Sequence, residues 1–319
     1  MQYALAFVVP LVVSLLLVPP FVKLAIKFGF TDKPTERKIH DTPKPLTGGV
    51  VMFAAFAPAF ASVAFFYDKR LFAVLAGCVM ILGIGLVDDF YKTRGRDFKA
   101  LPRFISHIAA AVLTFAVGIR FTGFFNPFSD LYVTFPIWLQ FLMTALWIVG
   151  LVTVINFMDG LDGLAGGLSI LSGATLFVVA IVKGQTESAL IAAALVGAAA
   201  GFLRYNLPPS KLIMGDSGAY LLGYLLAVIS LLGAFKQATL ISVFIPVLAM
   251  GVPIFDNLLV TFRRIRAKKP VYEADTVEIP QLHYRLLKRG MKPTHAVAFI
   301  LLLGACLNLT SIIILLISN

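Results

Sequence analysis

Residues 136–182 read PIWLQFLMTALWIVGLVTVINFMDGLDGLAGGLSILSGATLFVVAIV. Two apolar runs, 136–155 and 164–182, each have the length of a bilayer crossing, roughly 20 residues. Between them lies a short glycine-rich segment, NFMDGLDGLAGG at 156–167, with two aspartates. An apolar run that long, broken only by an acidic turn, reads as two membrane helices joined at a surface where ionised groups can meet water. The same grammar continues in both directions. Further candidate spans lie near 3–27, 47–67, 71–88, 104–122, 188–203, 214–235, 238–261 and 294–317, which makes ten. Glycine and proline inside them do not disqualify the reading, because neighbouring helices can satisfy the freed backbone groups.

Composition agrees. Of 319 residues 59% are hydrophobic and 13% are charged, against about 25% charged in a soluble domain, and the mean hydropathy is +0.92. No soluble domain of ordinary size fits between the spans. The expected architecture is all-α: a single membrane-embedded unit over 1–319. The N-terminal run lacks a basic leader and a small-residue cleavage site, so it reads as the first membrane helix. Cys78 and Cys306 lie inside apolar runs without metal-ligand spacing and read as small buried hydrophobes.

Charge sets the expected orientation. With Met1 outside, the inside segments 23–46, 88–103, 156–163, 204–216 and 256–293 hold all but five of the 27 basic residues. The exceptions are Lys69, Arg70, Arg120, Lys183 and Lys236. Cytoplasmic loops attract Lys and Arg, so both termini are expected outside and the loops in the cytoplasm. Of the 16 acidic residues only Asp68, Asp130 and Glu187 fall outside, a partition the basic-residue rule does not require. The chemistry is therefore expected at the cytoplasmic face.

Three acidic groups stand at the inner ends of spans. Asp88 and Asp89 close the third span in GIGLVDDFYKTRGRDFK, Asp159 and Asp162 occupy the central segment, and Asp216 lies in KLIMGDSGAYLLGY, where the eighth begins. Ionisable groups at membrane depth are costly and functional by default. A three-residue spacing at a helix start would put Asp159 and Asp162 on one face. Gly160, Gly163, Gly166 and Gly167 permit close approach of a backbone or ligand, and Gly215 and Gly218 flank an acid at a helix N-terminus, where N–H groups favour anions. Helix packing alone also uses small residues, which accounts for the glycines but not the aspartates. Carboxylates beside phosphate-friendly helix ends call for a cation between them. Oxygen ligands of this kind suit Mg²⁺, which takes one or two carboxylates together with substrate phosphates.

Two loops are basic: 31–49, TDKPTERKIHDTPKPLTGG, and 262–292, with RRIRAKKP and QLHYRLLKRG. Orientation alone explains much of that charge, though loops of this length are often functional. His283, beside Arg285, is placed to reach a phosphate, whereas His295 at the edge of the last span reads as structural. The glycine segments lack the strand context of nucleotide folds, and no Ser or Cys nucleophile stands beside a base. A nucleic-acid partner is not expected. The residues alone indicate a Mg²⁺-dependent reaction on a phosphorylated, anionic, cytoplasmic substrate at the membrane surface. A secondary transporter would place its acids near the bilayer midplane in repeated halves; no repeat relates 1–160 to 161–319.

In order along nearly the whole chain, DKPTERKIH…P…GG at 32–49, VDDF at 87–90, NFMDGLDGLAGG, MGDSGA and PIFDNLLVTFRRIR resemble the motifs of the polyprenyl-phosphate N-acetylhexosamine-1-phosphate transferases. The resemblance implies a multi-pass enzyme of the cytoplasmic membrane that starts cell-envelope glycan assembly. It would transfer N-acetylglucosamine 1-phosphate from UDP-N-acetylglucosamine to undecaprenyl or another polyprenyl phosphate and release UMP. It also implies roles. Asp216 is the principal ligand of Mg²⁺ (with Mn²⁺ as its substitute), and Asn156 stands beside it. Asp88 and Asp89 lie near the lipid phosphate, with Asp88 deprotonating or positioning it. Asp159 and Asp162 support the metal and contact the uridine, while Lys38, Arg263, Arg264, His283 and Arg285 face phosphates and sugar. Three positions depart from the family's usual pattern. A His-x-His-His-Arg string is here Gln281-Leu282-His283-Tyr284-Arg285, a Lys…Gln pair is Arg103 and His107, and an aromatic before MGD is Ile213. A UDP-N-acetylmuramoyl-pentapeptide donor is the alternative, one that typically accompanies a run of histidines absent here. The oligomeric state is left open, a homodimer being one option.

Overall fold

The computed structural model describes residues 1–32, 43–126, 131–233, 240–269 and 280–317. Its long elements follow the apolar runs: α1 (Gln2–Phe28), α2 (Gly48–Phe66), α3 (Leu71–Thr93), α4 (Ala100–Ala116), α5 (Ile137–Met158), α6 (Leu164–Val182), α7 (Thr186–Asn206) and α8 (Gly215–Gly233). After these come α9 (Leu240–Ala249), α10 (Gly251–Arg266), the short α11 (Leu282–Lys288) and α12 (Pro293–Ile317). Eight of the described helices, α1–α3, α5–α8 and α12, are long and apolar enough to cross a membrane, and α4 is a shorter apolar one. The chain is a multi-pass, helical membrane protein.

The centre is α8. It is apolar nearly all round, the pattern of a helix enclosed by others, and almost every residue from Gly215 to Gly233 is buried. It packs against α2, α3, α5, α6 and α7. Small residues make that possible: a methyl group at Gly49, Gly85 or Gly223 would come within 2.6 Å of Gly218, Ser217 or Val152 backbone or side-chain atoms. In lipid, such close backbone approach supplies the packing that apolar burial cannot.

Two features depart from the sequence reading. The expected span 238–261 is two helices with an interruption at Met250. Pro253 has no N–H to return to the Ala249 carbonyl four residues earlier. That carbonyl is instead satisfied by Ser172 Oγ at 2.7 Å and Asn308 Nδ2 at 3.0 Å, from α6 and α12. Broken backbone at membrane depth is tolerated where neighbouring side chains complete its hydrogen bonds. The expected all-helical architecture also carries two small antiparallel hairpins. Strands β1 (Thr31–Asp32) and β2 (Lys44–Pro45) pair in the first loop; β3 (Gly123–Asn126) and β4 (Leu131–Thr134) pair between α4 and α5.

At one end of the bundle the first loop meets the entry to α8. Pro45 accepts a hydrogen bond from the Ile213 N–H at 2.9 Å, and the Gly48 and Gly49 N–H groups donate to Ile213 and Met214, both at 3.2 Å. The first loop is thereby tied, backbone to backbone, to the segment that leads into α8.

Candidate active site

Helix α8 starts at Gly215, whose φ of 72° lies in the left-handed region that glycine enters without strain. Its first N–H groups have no partner within the helix. Asp89 of α3 supplies one: its Oδ1 accepts the Asp216 N–H at 2.8 Å and its Oδ2 the Ser217 N–H at 3.1 Å. A side chain at Gly215 would run into that carboxylate, with Cβ 2.6 Å from Oδ2. Asp89 is completely buried, and both of its oxygens hold the turn that presents Asp216.

The Asp216 carboxylate takes two neighbours. Asn156, near the end of α5, donates from Nδ2 to Oδ1 at 2.9 Å, and Lys92 Nζ lies 2.6 Å from Oδ2. Lys92 stands four residues beyond Asp88 on α3, one helical turn along the same face. Asp88 points to a different pair: its Oδ2 accepts from Arg103 Nη1 of α4 at 2.9 Å and from Tyr220 Oη of α8 at 3.2 Å. The His107 ring meets Tyr220 edge-on at 4.8 Å, and its Nε2 has no hydrogen-bond partner among the described residues.

Asp159 closes α5 and is half buried. Its carboxyl is held well above the usual carboxylate range, first by burial and then by the charge of Asp216, with Lys92 opposing. Asp88, Asp89, Asp159 and Asp216 thus meet around Lys92 and Arg103, with more acid than base. The expectation that Asp159 and Asp162 share a helix face is corrected. The segment from Asp159 to Gly163 is a turn between α5 and α6, with Gly163 at φ 81°. In that turn Asp162 faces other loops. Its Oδ2 accepts from Lys44 Nζ at 3.0 Å and from the Ser210 N–H at 3.3 Å, while Lys44 Nζ also donates to Ser210 Oγ at 2.6 Å. Asn206 steadies the same corner, accepting from the Gly163 N–H and donating to the Leu212 carbonyl, both at 2.9 Å.

The last loop enters through α10 and α11. Asp256 of α10 accepts the Leu282 N–H at 2.7 Å, filling the open N-terminus of α11, and also pairs with Arg285. Arg285, expected to face a phosphate, is therefore engaged by a carboxylate. His283 is wholly buried against the central turn: a methyl group on Gly160 would collide with its Nε2. Neither ring nitrogen has a hydrogen-bond partner among the described residues. Burial, reinforced by the Arg285 charge, pushes the imidazole down to about 4, so it is neutral at pH 7. Arg263 is exposed at the end of α10, and Arg264 is buried. Lys38 lies outside the described residues.

The structure thus brings together Asp88, Asp89, Asp159, Asp216 and Asn156, and places His283 against the turn that carries Asp159 and Asp162. Lys92, Tyr220, Lys44, Ser210 and Asp256 join the site only in the structure. Lys92 and Tyr220 each sit one turn from an aspartate, a spacing that could have marked them. The others meet their partners only through the fold.

The sequence profile described as glycosyl transferase family 4 matches residues 71–234, from the start of α3 to the end of α8. A Bacillus subtilis (strain 168) protein, a probable undecaprenyl-phosphate N-acetylglucosaminyl 1-phosphate transferase, is 34% identical over 314 residues, 98% of this chain and 85% of its own length. The chain belongs to glycosyl transferase family 4. It is a transferase of substituted phosphate groups. A decaprenyl-phosphate N-acetylglucosaminephosphotransferase of Mycobacterium tuberculosis (strain ATCC 25618 / H37Rv) is 33% identical over 312 residues, covering 89% of this chain and 75% of its own. A phospho-N-acetylmuramoyl-pentapeptide-transferase of Listeria monocytogenes serotype 4b (strain F2365) is 31% identical over 245 residues, 72% of this chain and 74% of its own. The profile spans Asp88, Asp89, Asn156, Asp159, Asp162 and Asp216; Asp256 and His283 lie beyond it.

Proposed function

We propose that this transferase moves N-acetylglucosamine 1-phosphate from UDP-N-acetylglucosamine to undecaprenyl or a similar polyprenyl phosphate. One observation carries the reading: Asp216, on the first turn of the central helix, sits among three further carboxyls with Lys92 and Arg103 beside them. A phosphate oxygen of the lipid attacks the β-phosphorus of the donor. The new P–O bond forms as the bond to the bridging oxygen of the α-phosphate breaks, and UMP leaves with that oxygen. The product is a polyprenyl-pyrophosphoryl sugar. Because the lipid phosphate is already ionised, direct attack needs no protein nucleophile, and positioning and charge neutralisation carry phosphoryl transfer.

A divalent cation suits this donor set. Among the described residues no three His, Cys, Asp or Glu side chains form a closed metal cage. Mg²⁺ does not need one, since it binds through one or two carboxylates and completes its shell with substrate phosphates and water. Asp216 would hold it with Asn156 beside it, and Mn²⁺ would substitute. Bound there, the ion would neutralise pyrophosphate charge. The chain's own groups do the rest. Asp89 fixes Asp216; Lys92 and Arg103 offset phosphate charge; Asp88, through Arg103 and Tyr220, orients the acceptor side. Asp162 contacts the uridine, and Arg263 and Lys38 answer the negative charge of the donor phosphates.

The same reading puts the site at the cytoplasmic face of the cell membrane. Counting α4, and α9 with α10 as one interrupted crossing, gives ten passes and returns both termini to the outside. The whole chain acts as one unit, and no step calls for a nucleic acid.

The test is a single assay with purified protein, undecaprenyl phosphate, Mg²⁺ and labelled UDP-N-acetylglucosamine. Lipid-linked label and UMP are expected in equal amounts, and both should vanish with EDTA. A folded sample that ignores this donor but turns over another in a panel of UDP-sugars, UDP-N-acetylmuramoyl-pentapeptide included, would reassign the sugar.

A further inference from the structure

Lys44 reads in the sequence as one more cytoplasmic cation, but its environment is unlike that of a solvated charge. Its side chain is 13% exposed and its ammonium is engaged by Asp162 Oδ2 and Ser210 Oγ. Three loops far apart in sequence meet at this point: the first through β2, the central turn through Asp162, and the segment before α8 through Ser210. Backbone bonds from Pro45 to Ile213, and side-chain bonds through Asn206, hold the same corner without Lys44. The loops are therefore joined independently of the ammonium, so its role must be sought elsewhere.

The pattern on Asp162 suggests that role. Lys44 and the Ser210 N–H both engage Oδ2, and Oδ1 has no partner among the described residues. One oxygen is anchored from two directions and the other is left to accept from a ligand. A carboxylate fixed in this way is preorganised for a small donor such as a nucleoside N–H or ribose hydroxyl. Without the anchor it rotates, and its ordering on binding costs affinity.

We infer that Lys44, with Ser210, is a donor-side positioning residue that orients Asp162 toward the nucleoside of the sugar nucleotide. The inference rests on the proposed reading that Asp162 meets the uridine. It separates Lys44, held among the loops by Asp162 and Ser210, from Lys92 and Arg103, which stand among the clustered carboxylates.

The test compares wild type, Lys44→Met, Lys44→Arg, Ser210→Ala, Asp162→Asn and the Lys44→Met/Asp162→Asn double variant, all purified in detergent. Steady-state kinetics would vary UDP-N-acetylglucosamine and undecaprenyl phosphate separately, and calorimetry would follow UMP binding without lipid. Loss of a charge-assisted hydrogen bond should raise the donor KM and weaken UMP binding by about tenfold. The acceptor KM and kcat should stay within about twofold, the pattern of a binding contact. Lys44→Arg should recover most of the loss. Ser210→Ala, which keeps the ion pair, should raise the donor KM about twofold to threefold, and it carries the test if Lys44→Met fails to fold. The double variant should be little worse than Asp162→Asn alone, since the two residues act as one unit. A Lys44→Met enzyme with normal donor KM would overturn the inference, as would equal damage to acceptor KM and kcat, or fully multiplicative effects with Asp162→Asn. If the wild type itself neither binds UMP nor uses any UDP-sugar, the proposed function fails and this inference with it.

Discussion

The two flanks of the site are held in opposite ways. On one, Asp216 is fixed by α8 itself, by Asp89 and Lys92 from α3 and by Asn156 from α5. Every support is a residue on a long helix of the packed bundle, and each could be lost with others remaining. On the other, α11 has only seven residues; Leu286 packs into the core and α12 lies against it, and a carboxylate from α10 meets its start. Asp256 both fills its N-terminus and pairs with Arg285, and His283 on the same helix lies against Gly160. The first flank is redundant, as suits a group that must keep its place while charge moves. The second joins a short helix to the bundle through the Asp256 cap and the packing of a few apolar side chains.

The largest effect belongs to the redundant flank, because its centre has no substitute. Asp216→Asn should cost at least about 100-fold in kcat, with an unchanged thermal unfolding midpoint in detergent. Near-normal turnover would remove Asp216 from the chemistry. Its support should matter less. Asp89→Asn replaces one accepting oxygen with a donor facing an N–H, so activity should fall about tenfold to 100-fold, as for groups that orient a ligand. Some stability should go with it, about 1–2 kcal/mol for a lost cap. If Asp89→Asn proved as damaging as Asp216→Asn without any loss of stability, Asp89 would have to touch substrate directly.

The same contrast governs what could be read in the sequence. The redundant flank lies on helices whose apolar runs are unmistakable, and α6, expected at 164–182, is found at those residues. Its aspartates sit at span ends, where a charge has few innocent explanations. The weaker flank was only half visible. His283 and Arg285 could be picked out by type. Asp256, which places them, is 26 residues from Leu282 and 29 from Arg285. Nothing local announces those contacts. The break between α9 and α10 was hidden for a similar reason: Pro253 is apparent, but the Ser172 and Asn308 side chains that make the break tolerable come from other helices. The central turn differs from its expected form because a spacing of three suits a helix, and only the left-handed backbone at Gly163 shows that the helix has not yet begun.

The Asp256 cap gives a sharp test of the second flank. Asp256→Asn removes the charge that Arg285 answers and weakens the cap of α11. Activity should fall about tenfold, with the bundle's unfolding midpoint nearly unchanged because α11 is a small part of the packing. Susceptibility of the segment around α11 to limited proteolysis should rise, as expected of a locally opened element. Unchanged proteolysis would show that α11 is held by something other than Asp256.

The smallest effect tests how dry that flank is. His283 is neutral in the folded protein because burial and the nearby Arg285 hold it down to about 4, against an ordinary value of 6.5. Between those values the unfolded chain binds a proton that the folded chain refuses. Stability from this residue is therefore intact above about pH 7 and is lost as pH falls toward 4. Between pH 7 and pH 5 the loss is at most about 2 kcal/mol. His283→Gln cannot titrate, so its unfolding midpoint should fall less than that of the wild type over the same interval, whatever its starting value. Parallel curves for the two proteins would mean that water reaches the imidazole, and that α11 sits less tightly on Gly160 than the buried ring implies.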